Sequence, residues 1–170
     1  FSVENAQLND LNNIRTFYTC LYRILLFPRE FHELDAQGNI IHYSPYNGKI
    51  CSGRMYTDNG FWDTFRAVHP FFNLFYPTQS KYILEGLANT YKESGWLPEW
   101  AAPGHIDIMV GSNSTSVVAS AYLNGVKDVD INTLWEGVMK NAFNAHPTIG
   151  SVGRAGAKEY GELGYVPNDI

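Results

Sequence analysis

The stretch that decides the fold is residues 56–66, which reads Tyr-Thr-Asp-Asn-Gly-Phe-Trp-Asp-Thr-Phe-Arg. Polar turn residues come first, and at Gly60 they give way to aromatic side chains spaced as on a helix. The same period continues through Val68 and Phe72, although Pro70 must kink or restart such a helix. We therefore predict a loop that leads directly into an irregular helical segment.

Apolar residues at intervals of three and four predict further helices on both sides of this stretch. The first predicted helix has an amphipathic face over residues 8–25 and ends at Pro28. The others are predicted over residues 78–94, 114–124, 130–145 and 153–163. Residues 33–43 are typical of a short β-hairpin with its turn at 37–39. Two long polar and aromatic loops, 43–59 and 96–112, separate these elements. The predicted fold class is mainly α, with helices, long loops and one short β-hairpin.

Composition limits the function classes that remain open. The chain has 170 residues, of which 45% are hydrophobic and 17% charged, which suits one domain of ordinary size and argues against disorder. A net charge of −5 and the lack of a basic run argue against nucleic acid as a partner. The apolar runs are too short for a membrane span. Standard nucleotide, serine-hydrolase and zinc-protease motifs are missing from the sequence.

Histidines and cysteines do not predict a metal site. Four of the five histidines fall in or beside the loop-rich regions: His32, His42, His69 and His105. No pair of them has a ligand spacing within a helix, so each is interpreted as a surface or hydrogen-bonded residue. Cys20 and Cys51 could form one disulfide, but the apolar helical neighbours of Cys20 favour a buried free thiol.

Residues 128–139 imitate the start of a calcium-binding loop. Asp128, Asp130 and Asn132 have the required spacing, but Thr133 stands where glycine is needed and Met139 where a bidentate glutamate is needed. We interpret Asp130 as a helix cap instead. The sequence therefore assigns no metal ligand and no catalytic residue in this chain.

Aromatic residues, carboxylates and amides concentrate in the two long loops, in the pattern a sugar site uses. Flat rings stack on the apolar face of a pyranose, and carboxylates or amides bind vicinal hydroxyls. The alternative is that Trp62, Trp96 and Trp100 belong to the core and that Asp58 and Asp63 are helix caps. If Asp63 is buried among aromatic rings it must have a partner, and Arg66, one turn later, is the nearest candidate.

The ordered set of motifs resembles glycoside hydrolase family 92, the calcium-dependent exo-acting α-mannosidases. The matching segments are 17–19, 21–23, 26–29, 42–48, 56–66 and 95–100. In that family an N-terminal β-sandwich precedes an (α/α)6 toroid that carries the active site. The resemblance implies that residues 1–170 are the N-terminal part of the (α/α)6 catalytic domain. The chain opens on Phe1 rather than Met, which also suggests a fragment.

The resemblance also implies a function. Such enzymes invert the anomeric centre with a general acid and a general base on opposite sides of the bond, and calcium helps to position the substrate and water. The acid, the base and the calcium ligands are expected C-terminal to this chain, so the resemblance gives Glu99 no catalytic role. It identifies Trp62 and Asp63, with Arg66 beside them, as substrate-binding residues.

Further expectations concern the whole enzyme. They are hydrolysis of terminal mannose from glycans, with α-1,2 linkages favoured, an extracytoplasmic location, and dependence on the rest of the domain and on the β-sandwich. The isolated 170-residue chain is expected to be inactive. The alternatives are a non-catalytic carbohydrate-binding helical module and a purely structural helical piece.

Overall fold

The computed structural model of the protein describes residues 11–169, and helices make up 47% of them. The helices are α1 (Leu11–Ile24), α2 (Phe61–Thr64), α3 (Val68–Phe75), α4 (Pro77–Ser94), α5 (Asn113–Leu123), α6 (Ile131–Phe143) and α7 (Ala157–Leu163). The expectation of a mainly helical chain is therefore confirmed. Residue 8, where the first predicted helical face begins, lies outside the described residues.

The predicted ends of α4 and α6 follow from local chemistry. Pro77 occupies the first turn of α4, where no backbone N–H is needed, and Gly95 ends the helix with a left-handed φ of 78°. Asp130 caps α6 by accepting a hydrogen bond from the Thr133 amide, which confirms its interpretation as a cap.

Two helices differ from their predicted form. The segment after Gly60 does not continue through Pro70 but breaks at residues 65–67 and restarts at Val68, so that Pro70 lies in the first turn of α3. The last helix begins at Ala157 instead of residue 153. Gly153 and Gly156 both have positive φ, of 75° and 71°, which a right-handed helix cannot include.

The strands are more numerous than predicted, although all are short. They are β1 (Arg29–Glu30), β2 (Glu33–Leu34), β3 (Ile40–Tyr43), β4 (Ile50–Ser52), β5 (Tyr56–Thr57), β6 (Asn59–Gly60) and β7 (Trp100–Ala101). The predicted hairpin is confirmed as β2 and β3, and β4 extends it to three antiparallel strands. The β1–β5 and β6–β7 pairs are also antiparallel.

Helices α4, α5 and α6 enclose the main core. Its buried residues are Phe61, Leu84, Leu87, Ala88, Leu97, Val117, Val118, Ala121, Val126 and Leu134. A second cluster, of Tyr56, Phe72 and Ile83, lies where α3 and β5 meet α4. Because Phe61 belongs to the main core and Phe65 packs against it, both ends of α2 are anchored, whereas Trp62 and Asp63 between them are exposed.

Helix α1 behaves differently from the other long helices. It has no buried residue, and Phe17 and Tyr22 on it are 44% and 65% exposed. Cys20 is exposed as well, so the expectation of a buried thiol there is wrong; both Cys20 and Cys51 are free thiols. Within residues 11–169, no helix combines the length and apolar character that crossing a membrane requires.

Candidate functional site

The strand pair β6–β7 brings the two long loops together. Gly60 pairs with Trp100, and the indole of Trp100 lies directly on the Gly60 backbone. A Cβ added at Gly60 would stand 2.0 Å from the Trp100 ring and 2.8 Å from the Asp63 Oδ2 atom. Position 60 therefore needs glycine, and Trp100 and the Asp63 carboxylate meet at this point.

A buried polar network fixes the strand from which α2 starts. The Asn59 Nδ2 atom donates to Nε2 of His69 at 3.1 Å, and the Thr64 hydroxyl lies 3.1 Å from Asn59 Oδ1. His69 is 2% exposed and stacks on Phe61, and burial lowers its pKa to about 4. The ring is therefore neutral near pH 7 and accepts the hydrogen bond without bringing a charge into the core.

Trp62 and Asp63 face solvent next to this anchored strand. The Trp62 side chain is 41% exposed and Asp63 is also exposed. Because Asp63 is exposed, its carboxylate is solvated and needs no partner within the protein. A half-exposed indole beside an exposed carboxylate leaves both groups available to a ligand.

Arg66 is not the partner of Asp63 within the described part of the chain. Its Nη1 atom donates to the Trp62 carbonyl oxygen at 2.8 Å, and the guanidinium lies 4.7 Å from the centre of the Trp62 ring. It also lies 4.4 Å from the Phe65 ring centre. The expected ion pair is therefore replaced by a cation–π contact that orients the Trp62 indole.

The alternative was that the tryptophans belong to the core and that the aspartates are helix caps. It is correct for Trp96 and wrong for both aspartates. Trp96 is a core residue, 8% exposed and packed against His146. Asp58 caps no helix but forms an ion pair with Arg29. Asp63 lies inside the single turn of α2 and is not its N-cap, which is Gly60.

Glu99 is a buried support for the second loop. It is fully buried, accepts a hydrogen bond from the Asn113 amide at 2.8 Å and lies 3.3 Å from the Ser114 hydroxyl, both at the start of α5. Burial raises the pKa of Glu99 to about 8, although both hydrogen bonds act to lower it. Its carboxyl group occupies the N-terminus of α5, where a capping side chain is otherwise missing. This contact set gives Glu99 a structural role.

Trp100 is the residue that the sequence did not single out for the site. Its position follows from the pairing of two two-residue strands that are 40 residues apart in the chain. Two sequence features could have indicated this contact: the glycine directly before the Phe-Trp-Asp run, which leaves room for a large side chain, and the second loop rich in tryptophan.

Comparison with known proteins decides the family. The sequence profile of the glycosyl hydrolase family 92 catalytic domain matches residues 2–170. The chain belongs to glycoside hydrolase family 92. Its folded part is similar to an inverting family 92 mannosidase from Bacteroides thetaiotaomicron VPI-5482, with 52% identity, a TM-score of 0.89 and 93% of this chain covered.

Two further relatives extend the comparison. A second family 92 α-mannosidase of B. thetaiotaomicron, also solved in complex with mannoimidazole, matches over 91% of this chain with 30–31% identity and TM-scores of 0.77 and 0.76. An uncharacterized secreted glycosidase of Arthroderma benhamiae is 27% identical over 98% of this chain. The family 92 chain spans 22%, 20% and 17% of these relatives, so it corresponds to part of each.

Proposed function

We propose that residues 1–170 are the N-terminal part of an (α/α)6 catalytic domain in an exo-acting, inverting α-mannosidase that removes terminal mannose from glycans, with α-1,2 linkages favoured. Family membership and the names of the two B. thetaiotaomicron relatives support the reaction. The consecutive helices α3 with α4 and α5 with α6, which contact one another, support the helical-pair architecture. The isolated chain is proposed to be inactive.

The observation that carries the proposal is the exposed Trp62 and Asp63 pair beside Trp100. An indole offers a flat apolar face to a pyranose ring, and a carboxylate accepts hydrogen bonds from two adjacent hydroxyls. Trp62 and Asp63 are proposed as substrate-binding residues, with Trp100 as an added wall. Arg66 orients the Trp62 ring and remains a proposed substrate contact because its guanidinium is itself exposed.

The groups that carry out the chemistry are proposed to come from the rest of the domain. An inverting enzyme places its acid and base on opposite sides of the glycosidic bond, far enough apart to admit a water. Asp63 is exposed and Glu99 is engaged at the N-terminus of α5, so neither is proposed as the acid or the base. The described residues hold the sugar and do not supply the proton transfers.

Calcium does not fit the residues that the structure describes. Calcium prefers six to eight oxygen ligands. In residues 11–169, the one group of three or more candidate histidine, cysteine and carboxylate ligands contains an imidazole and a thiol. The family's calcium ligands are therefore proposed to lie outside this chain, together with the N-terminal β-sandwich.

The location of the enzyme is proposed to be extracytoplasmic: periplasmic, on the cell surface or secreted. Its substrates are mannose-containing glycans, which such enzymes meet outside the cytoplasm. The word "secreted" in the name of the A. benhamiae relative supports this.

The test is Asp63→Asn in the full-length protein, meaning the complete polypeptide to which this chain belongs. Turnover of α-1,2-linked mannobiose is expected to fall about 10- to 150-fold, the effect of losing a charge-assisted hydrogen bond of about 1.5–3 kcal/mol. The unfolding midpoint is expected to stay unchanged because Asp63 is exposed.

Asp128→Asn is the matched control. Asp128 is exposed, forms an ion pair with Lys81 at 3.6 Å and has a left-handed φ of 58° that asparagine also tolerates. It is expected to keep full turnover. Normal kinetics in Asp63→Asn would refute the site assignment, and the absence of mannose release by the unsubstituted protein would refute the proposed reaction.

A further inference from the structure

A second cluster of chemically competent side chains lies away from Trp62 and Asp63. His42 on β3 and Cys51 on β4 are directly opposite each other in the antiparallel register, and Glu93 reaches them from the last turn of α4. One donor atom from each side chain can be chosen so that all three lie within 4.8 Å of one another. An imidazole nitrogen, a thiol sulfur and a carboxylate oxygen therefore share one small volume.

His42 lies between two hydrogen-bond acceptors, so one of its ring nitrogens, Nε2, faces an acceptor without a hydrogen of its own when the ring is neutral. Its Nδ1 atom lies 2.8 Å from the Gly53 carbonyl oxygen, which can only accept, so Nδ1 carries a hydrogen. In a neutral ring the Nε2 lone pair then points at Glu93 Oε1, also 2.8 Å away. Two acceptors this close require a proton or a cation between them. The bond from Nδ1 to a backbone carbonyl is the usual support of a metal-binding histidine.

Glu93 provides a second observation that favours a cation at this cluster. Its side chain is only 9% exposed, and among the described residues its Oε2 atom has no hydrogen-bond partner. A buried carboxylate oxygen without a partner is costly. Glu93 also lies one residue before the end of α4, where the helix dipole disfavours negative charge. Both features are relieved by a positive ion at this position.

We propose that His42, Cys51 and Glu93 form a zinc site that joins the three-stranded sheet to the C-terminal end of α4. Nitrogen, sulfur and a single carboxylate make up a ligand set that zinc accepts and calcium does not. Binding requires the His42 Nε2 and Glu93 Oε1 atoms to separate to about 3.3 Å, the edge of a tetrahedral zinc site. Cys51 is partly buried, and its Sγ atom lies 3.8 Å from the Asn47 Nδ2 atom, a donor that suits a thiolate.

The proposal rests on the contacts of His42, Cys51 and Glu93 alone and does not depend on the proposed mannosidase function. The ligands come from two strands and a helix up to 51 residues apart, so spacing along the chain could not reveal them. The interpretation of His42 as a hydrogen-bonded residue is confirmed by its contacts with Gly53 and Glu93, and the zinc proposal adds a metal ion to the second of these contacts.

Thiol labelling of the full-length protein tests the site without any substitution. After chelation and gel filtration, iodoacetamide labelling of Cys51 and Cys20 is followed by peptide mass spectrometry with and without one equivalent of zinc. Zinc is expected to slow labelling of Cys51 by about tenfold or more, because a coordinated thiolate is no longer a free nucleophile. Cys20, exposed on α1, is the internal control and is expected to react at the same rate throughout.

Equal labelling of Cys51 with and without zinc would overturn the proposal and leave a simple His42–Glu93 hydrogen bond. Glu93→Gln, which keeps the size of the side chain, is expected to abolish the zinc protection while Cys51 still reacts. Protection that survives in Glu93→Gln would also count against the three-residue site. Cobalt in place of zinc is expected to give a thiolate charge-transfer band that Cys51→Ser loses and Cys20→Ser keeps.

Discussion

Glu99 is a buried carboxyl group whose contacts connect the second long loop to the start of α5. A glutamate with a pKa raised to about 8 is a common sign of a general acid. Here, however, the group is fully buried, and Asn113 and Ser114 occupy its oxygens. The raised pKa therefore reflects burial at the start of α5.

Glu99→Gln tests this structural role in the full-length protein. Because the carboxyl is mostly protonated at pH 7, an amide can accept from Asn113 and donate to Ser114. We expect stability within about 1 kcal/mol of the unsubstituted protein and nearly unchanged turnover, whereas Glu99→Ala is expected to lose about 2–3 kcal/mol. Urea unfolding and mannobiose hydrolysis measure both. A loss of turnover in Glu99→Gln as large as that of Asp63→Asn would make Glu99 catalytic.

Gly60→Ala tests the contact between Gly60 and Trp100. The added Cβ would collide with the Trp100 ring, which must move away from the Asp63 carboxylate. We expect a weaker affinity for mannosides, read as a raised KM, with a smaller effect on unfolding. Gly161→Ala in α7 is the control, since nothing lies within 4 Å of a Cβ there. An unchanged KM in Gly60→Ala would remove Trp100 from the site.

Among the elements, α2 is the one most dependent on its neighbours. A helix of four residues has no stability of its own, and it is held by the Asn59–His69 hydrogen bond below it and by Phe61 in the main core. The exposed residues Trp62 and Asp63 therefore lie on a short helix whose position is fixed by Asn59, His69 and Phe61.

The neutral His69 makes this base sensitive to acid. Its pKa is about 4 when folded and about 6.5 when unfolded, so the unfolded chain takes up a proton between these values. The free energy of unfolding is therefore expected to fall as the pH drops from about 6.5 to 4, by at most about 3 kcal/mol. His69→Gln should remove this component. The measurement is the free energy of urea unfolding of the unsubstituted protein and of His69→Gln, each at pH 7 and at pH 4.5. The difference between the two proteins isolates His69, because buried His105 also has a lowered pKa and contributes equally to both. A constant difference would contradict the prediction.

Elements with local determinants were predictable from the sequence. The ends of α4 and the cap of α6 follow from Gly95 and Asp130, which act on their own helices. The two-residue strands β6 and β7 were not predictable, because nothing in either segment specifies its partner. The same limit applies to one part of the site: Trp62 and Asp63 came from a long motif and Arg66 contacts Trp62 only four residues away, whereas the position of Trp100 depends on a strand pair formed only on folding.

At the scale of the whole chain, the exposed apolar surface is extensive. On the α5–α6 side, Tyr122, Leu123 and Trp135 line a groove of about 450 Å³ and are 59–82% exposed. Phe143, at the end of α6, is 67% exposed. Surfaces of this kind are normally covered in a folded protein. Since the chain spans less than a quarter of the relatives described above, uncovered helix faces are expected of it.

We therefore expect the 170-residue chain, produced alone, to self-associate in solution. Sedimentation velocity over a range of concentrations measures this. Leu123→Glu is expected to shift the distribution toward monomer. Leu74→Glu, at a leucine of similar exposure (71%) on α3, is the control and should not. A monomer at every concentration would contradict the prediction.

The hydrogen bond from Asn113 to Glu99 has one more consequence, for how the family can diversify. It closes residues 99–113 into a loop at the start of α5, and Asp107 within that loop accepts a hydrogen bond from the Ser151 amide at 2.8 Å. The residues after Asp107, 108–111, are therefore the part of the loop whose length can change while the strand that carries Trp100 is kept. Doubling such a loop costs only about 0.6 kcal/mol. Ile108 and Val110, exposed in the middle of it, mark where extra residues can be accepted. Evolution or a protein engineer can lengthen this segment to reach further along a branched glycan while the strand that carries Trp100 stays in place.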